Sequence, residues 1–216
     1  MVTQRKISIP IYATAFIISL IIFVSGIFVG RLITTSGLED LSQDVSDVSQ
    51  RVASVQILLL MEGNSSAFCP VYSSELDSID ENVEVMGYKL SYLENEQQVS
   101  DPELKKQYFV LQAESYLLSK KINQVCGDDA VLLINFYSNE DCDDCVQQGA
   151  EVLQARDESD RKVKLYSFDG GIGSPIADAF KKQYKISRYP SLVINEKTYP
   201  GYRTSDQIKA IIEEAQ

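Results

Sequence analysis

The sequence predicts an α/β C-terminal domain preceded by a heptad-patterned helical bundle and one N-terminal transmembrane helix. Three observations carry this fold class. Residues 7–30 hold no charge and are mostly apolar. Between residues 38 and 125, apolar positions recur in alternating steps of three and four. From Val131 onward, short apolar runs alternate with helical stretches, and Cys142-Asp143-Asp144-Cys145 stands where the first run gives way to a helix. The chain then divides into a tip and membrane span over 1–36, a helical region over 37–127 and an α/β domain over 128–216.

Composition narrows the chemistry. A net charge of −11 argues against nucleic acid, because phosphate binding needs a basic surface. The chain has no histidine, which removes Ser-His and Cys-His nucleophile pairs and histidine-ligated metals. Four cysteines suit two disulfides in an oxidising compartment.

The segment 7–30 would reach roughly 36 Å as a helix, enough to cross a bilayer core. Pro10 falls in its first turn, where a missing N–H does little harm. Arg5 and Lys6 precede it; a lone Arg31 follows, then Glu39, Asp40, Asp44 and Asp47. Basic flanks favour the cytoplasm, so the N-terminus reads as inside and the chain after Leu32 as outside, a single-pass protein of the cell membrane. A cleaved signal peptide is the alternative, with Ser25-Gly26 as its cleavage site, although its apolar region normally runs about 7–15 residues. Either way the rest leaves the cytoplasm. A buried core helix is a third reading, but no other apolar run approaches this length.

After a break at Thr34-Thr35-Ser36-Gly37, the first seam runs Leu38, Leu41, Val45, Val48, Val52, Val55, Leu59. The second runs Tyr72, Leu76, Ile79, Val83, Met86, Leu90, Leu93, and the third Leu104, Tyr108, Leu111, Leu118, Ile122, Val125, with Ser115 in the skipped slot. Such spacing lines one helical face. Asp101-Pro102 starts the third helix and Gly127 stops it. A short polar link near Val99-Ser100 makes the second and third helices antiparallel neighbours. Cys69 and Cys126 then meet at the open end of that hairpin. A disulfide there closes a loop of about 57 residues; two buried thiols are the alternative. The seams pack into an intramolecular three-helix bundle, or the first helix pairs with a second copy as a parallel coiled coil, making a homodimer. Asn64-Ser65-Ser66 matches a glycosylation acceptor.

In the C-terminal part, 131–137 reads as a buried strand. A helix with Val146, Ala150, Leu153 and Ala155 follows the cysteines. Residues 163–168 alternate as a second strand, and Ser174-Pro175 opens another helix. Residues 192–194 and Thr198-Tyr199 form two strands around a Glu196-Lys197 turn, and 205–212 closes as a helix. The order is strand, helix, strand, helix, strand, strand, helix.

That order, with Cys-x-x-Cys at the first strand–helix junction and Tyr189-Pro190 before the third strand, resembles the thioredoxin superfamily over roughly residues 130–215. The resemblance implies that Cys142 is the exposed attacking thiol and Cys145 the resolving one. It also implies that Pro190 is cis and aligns substrate backbone beside Tyr189. The physics of the motif agrees: a helix N-terminus stabilises a thiolate, and the thiolate is the nucleophile in disulfide exchange. Where thioredoxins usually place tryptophan before the first cysteine and Gly-Pro between the two, this chain has Asp141 and Asp143-Asp144. The buried aspartate of their first strand appears as Asn135. Glu140, Asp141, Asp143 and Asp144 disfavour a thiolate, so the pair is expected towards the reducing end of the scale.

These readings give a membrane-anchored, extracytoplasmic thiol–disulfide oxidoreductase that needs no cofactor beyond its cysteines. Its partners are extracytoplasmic client proteins and a membrane redox partner that exchanges electrons with it. The alternative is a membrane-tethered interaction scaffold with a redox-inactive thioredoxin-like domain, in which Cys142–Cys145 is only structural. A zinc site would have to recruit all four cysteines. Gly170-Gly171-Ile172-Gly173 lacks the Lys-Ser/Thr of a phosphate loop and reads as a connection. Tyr189, Tyr199 and Tyr202 either line a substrate groove or are half-buried strand residues.

Overall fold

The computed structural model describes residues 9–62 and 66–215. Its elements are α1 (Ile9–Glu62), a 3₁₀ turn (Ser66–Phe68), α2 (Cys69–Asn95), α3 (Pro102–Cys126), β1 (Val131–Tyr137), α4 (Asp143–Asp157), β2 (Val163–Asp169), α5 (Pro175–Gln183), β3 (Ser191–Ile194), β4 (Lys197–Pro200) and α6 (Ser205–Glu214). The chain divides into two units, Met1–Leu41 and Ser42–Gln216.

The expected fold class is corrected in two ways. The described chain is predominantly helical around a small mixed sheet of four strands, rather than an α/β domain that follows a bundle. The expected N-terminal transmembrane helix is also corrected, since among the described residues no helix is long and apolar enough to cross a membrane. The apolar stretch and the acidic stretch after it belong to the same helix. The apolar residues from Ile9 onward open one unbroken helix. It passes through Thr34-Thr35-Ser36-Gly37, where the sequence predicts a break, and on into Glu39, Asp40, Asp44 and Asp47. Arg5, Lys6 and Asn64 lie outside the described residues. In the first unit, large apolar side chains from Tyr12 to Phe28 are exposed.

In the second unit the heptad seams are buried apart from Leu59, Tyr108 and Val125, which are half-buried. Val45, Val48, Val52 and Val55 of α1 are covered, as is the whole α2 seam from Tyr72 to Leu93. Asp44 pairs with Lys89 at 2.6 Å, and Arg51 donates to Ser78 at 3.0 Å, so α1 and α2 run antiparallel. Local chemistry sets the ends of α3. Asp101 accepts from the N–H groups of Glu103 and Leu104, both at 3.0 Å, Pro102 fills the first turn, and Gly127 closes the helix at φ +69°.

Two faces of α3 are buried. One carries the predicted seam towards α2, where Ser115 donates to Asp80 at 2.5 Å and Tyr108 donates to the Val83 carbonyl at 3.2 Å. The other carries Phe109, Ala113 and Tyr116 into a core with Leu132, Ile134, Phe136, Tyr166, Phe168 and Phe180. The helical region thus supplies one cover of the sheet, which is why helix dominates the class. The opposite sheet face packs Val131, Leu133, Leu192 and Ile194 against Val152 and Ala155 of α4 and Ile208 and Ile212 of α6.

The strand order is β2-β1-β3-β4, with β1 and β2 parallel and the other pairings antiparallel. The β3–β4 turn sits at Asn195-Glu196, one residue before the predicted position, with φ of 43° and 68°. Positive φ at both central residues is the hairpin turn that matches strand twist. Thr204 and Gln207 form a capping box that starts α6. α2 is tied to β2 by Asp77–Lys162 at 2.7 Å and Asp80–Lys164 at 2.6 Å. Burial holds the Asp80 carboxyl above its ordinary range despite the pull of Lys164. At Asp77 burial is outweighed by Lys162 and Lys164, and the carboxyl lies below its ordinary range.

Candidate functional site

The cysteine pair is placed by the exit of β1. After Tyr137 the chain turns through residues 138–141, with Asp141 at φ 50°, and enters α4 at Asp143. Ser138 pins this loop: its hydroxyl donates to the Glu140 carbonyl at 2.7 Å and accepts from the Glu140 N–H at 3.0 Å. Cys142 occupies the N-cap position of α4, and no side chain caps the helix there. A Cys142 thiolate would sit where a capping acceptor sits, against the free N–H groups of the first turn.

Cys142 and Cys145 form a disulfide with Cα atoms 5.4 Å apart. Cys142 is half-buried, whereas Cys145 is 5% exposed. The Ser138 N–H donates to Cys145 Sγ at 3.4 Å. Glu140, Asp141, Asp143 and Asp144 are all exposed around the pair.

The pair opens onto a cleft of about 1080 Å³ between α2 and the α4–β2 layer. Asn135 lines it from β1; it is 5% exposed and its Oδ1 has no hydrogen-bond partner. The cleft also reaches a buried ionic group. Lys105, 2% exposed, places Nζ 2.9 Å from Glu94, 3.3 Å from Asp169 and 5.8 Å over the Tyr137 ring. Burial, with the charges of Asp169 and Glu94, pushes the Tyr137 hydroxyl well above its ordinary range, so it stays neutral.

Tyr189 and Pro190 are joined by a cis peptide bond, and Pro190 is buried. The pairing of Phe136 with Ser191 puts them at the end of the sheet where β1 departs for the cysteines. They are not among the residues lining the cleft. The Tyr189 hydroxyl lies over Gly170, 1.9 Å from where a Cβ would stand, so that position has no room for a side chain. Tyr199 packs on the α4–α6 core, and Tyr202 donates to Glu151 at 2.8 Å; both serve local structure. That bond and the Ser205 N–H hold the Glu151 carboxyl below its ordinary range.

Cys69 and Cys126 form the second disulfide, with Cα atoms 5.6 Å apart. It lies at the start of β1, whereas Cys142 lies beyond its end. Seven residues of strand separate the two ends, roughly 23 Å. The two pairs therefore do not exchange within one chain.

Lys105, Glu94, Asp169 and Gln112 belong to the cleft and are not singled out by the sequence. A second stripe on the third helix, Phe109, Ala113 and Tyr116 at steps of four and three, is the signal that this helix has a further buried face. No family model matches the chain, and no curated protein matches it.

Proposed function

We propose that the chain is a thiol–disulfide oxidoreductase acting on protein thiols or disulfides through Cys142 and Cys145. One observation carries the reading: Cys142 is reachable at the start of α4 while Cys145 is shielded beneath it. The resemblance of the Cys-x-x-Cys and Tyr189-Pro190 positions to thioredoxin-like proteins supports it. Tyr189 and Pro190, at the same end of the sheet, are proposed to meet client backbone. With all described cysteines in disulfides, an oxidising compartment outside the cytoplasm is the proposed location.

The steps balance as exchange. A client thiolate attacks Cys142 Sγ, the Cys142–Cys145 bond breaks, and Cys145 leaves as a thiolate. A second client thiolate then attacks its own sulfur in the mixed disulfide and releases Cys142. The client loses two electrons and the pair gains them; a client disulfide runs the same steps in reverse. An external dithiol or disulfide resets the pair.

Cys145→Ala tests this. Expressed in its own compartment, the variant is expected to accumulate mixed disulfides through Cys142, seen as reductant-sensitive adducts on non-reducing gels. The exposed acids favour the second reading, a scaffold, and a variant that traps nothing would establish it. The acids make a separate prediction. Replacing Asp143 and Asp144 by asparagine is expected to make the couple more oxidising by roughly 10–40 mV, since each exposed charge acts weakly on the thiolate. A glutathione redox titration measures the shift, and a strongly oxidising unmodified couple would refute the reducing assignment.

A further inference from the structure

The sheet leaves part of one edge without partners, and that edge faces the cysteine cleft. β2 is an outer strand. Its bonds to β1 run through even-numbered residues: the Val131 N–H donates to the Lys162 carbonyl, and the Gly170 N–H to the Tyr137 carbonyl, both at 2.8 Å. Val163, Leu165 and Ser167 therefore turn their backbone groups outward. Ser167 is answered by Gln112, whose side chain accepts from its N–H at 2.7 Å and donates to its carbonyl at 2.9 Å. Among the described residues, no hydrogen bond reaches the outward groups of Val163 or Leu165. Both residues are half-buried and line the cleft together with Cys142.

Two further features of this cleft call for a ligand. Asn135 Oδ1 is buried without a partner, a costly state unless something donates to it. The charge is also uneven. Lys105, Arg156, Lys162 and Lys164 are each paired with a carboxylate. Glu81 and Glu140, exposed on the walls, are in no ion pair among the described residues.

We propose that this cleft docks an extended, cation-bearing polypeptide segment, which adds to β2 at Val163 and Leu165 and delivers its cysteine to Cys142. The proposal rests on the redox reading of that pair. Main-chain pairing supplies affinity with little demand on sequence, which suits a protein with several clients, and the acidic walls select the charge. Gln112 ends the pairing at Ser167, so the segment leaves the sheet there. Asp169 pairs with Tyr137 at the level where β1 gives way to the cysteine loop. At about 3.3 Å per residue the client cysteine lies about four to eight residues beyond the paired segment.

The probe is a fluorescent peptide with a Val-Lys-Val-Arg-Val segment six residues before a single cysteine. Binding is read by anisotropy on the full chain carrying Cys142→Ser and Cys145→Ser. Exchange is read on the unsubstituted pair in its reduced, dithiol form, whose Cys142 thiolate attacks the peptide's glutathione mixed disulfide, relative to attack on glutathione disulfide itself. Val163→Pro removes an outward N–H and some side-chain packing on the α4–α6 core while leaving the bonds to β1 in place, which an edge strand tolerates. It is expected to weaken binding about tenfold and to lower the ratio of peptide to glutathione exchange by the same factor. Backbone N-methylation of the peptide, or glutamate in place of its lysine and arginine, is expected to weaken binding as much. If Val163→Pro fails to fold, the N-methylated peptides decide alone. Binding indifferent to all of these, with glutathione exchange intact, overturns the groove and leaves the redox reading standing. Absence of exchange with either disulfide overturns both. A dimer that Val163→Pro dissolves would put a second copy on the edge and overturn the client assignment.

Discussion

Replacing Cys69 and Cys126 together by serine is expected to lower the stability of the fold by about 4 kcal/mol, from the loop-closure entropy of a long cross-link. The bridge spans 57 residues of sequence and joins the first residue of α2 to the last of α3. Without it the unfolded chain gains the freedom of the whole hairpin. The native loss is smaller, because the α2 seam and both faces of α3 stay buried by packing. The Cys142–Cys145 disulfide, with a sequence separation of only 3, constrains little of the unfolded chain. Urea melts of the double variant and the parent, both with the second pair oxidised, measure the difference. A loss below about 1 kcal/mol would show that side-chain packing alone holds the hairpin. Both cysteines are removed because a single substitution would leave an unpaired thiol able to form disulfides between chains.

Much of the local structure was legible, for identifiable reasons. The bounds of β1 follow from a seven-residue run that is apolar but for Asn135 and is buried on both faces. The α2 seam was readable because that helix buries a single stripe, and every predicted position on it is buried. α3 was half legible. Its seam towards α2 is apolar but for Ser115, whereas its sheet-facing stripe mixes Phe109 and Tyr116 with Lys105, Gln112 and Ser119, which look like solvent positions. Only tertiary partners make them buried: Glu94 and Asp169 for Lys105, the β2 backbone for Gln112, and the Tyr166 hydroxyl for Ser119. The N-terminal helix failed differently. Thr34-Thr35-Ser36-Gly37 reads as punctuation, yet residues of modest helix propensity continue a helix when both flanks are strong. At the cysteines, the position of the pair was visible in sequence, whereas the cleft beside it was not, because one of its walls is α2, which ends at Asn95, far earlier in the chain.

Lys105→Met is expected to lower stability by roughly 3–5 kcal/mol, although methionine matches the aliphatic stem, because it removes one member of a buried ionic group. Nζ is the cation shared by Glu94 and Asp169, whose side chains are 17% and 7% exposed. Without it two carboxylates face each other with no counter-charge in a site that water scarcely reaches. The control is a triple variant, Lys105→Met with Glu94→Gln and Asp169→Asn. It carries no charge in the group and is expected to regain most of the loss, which separates unpaired charge from lost packing. Asp169 also accepts from the Gly171 N–H at 2.9 Å, and Tyr137, under the ammonium, leads directly into Ser138, which donates to Cys145 Sγ. The ionic group therefore braces the strand ends that present the cysteine pair. In the single variant, exchange of the reduced pair with glutathione disulfide is expected to fall as the loop loosens, and in the triple variant to recover along with stability. Stability that recovers without exchange would show that the charges act on the sulfurs directly. A single variant as stable as the parent would show that the group holds nothing.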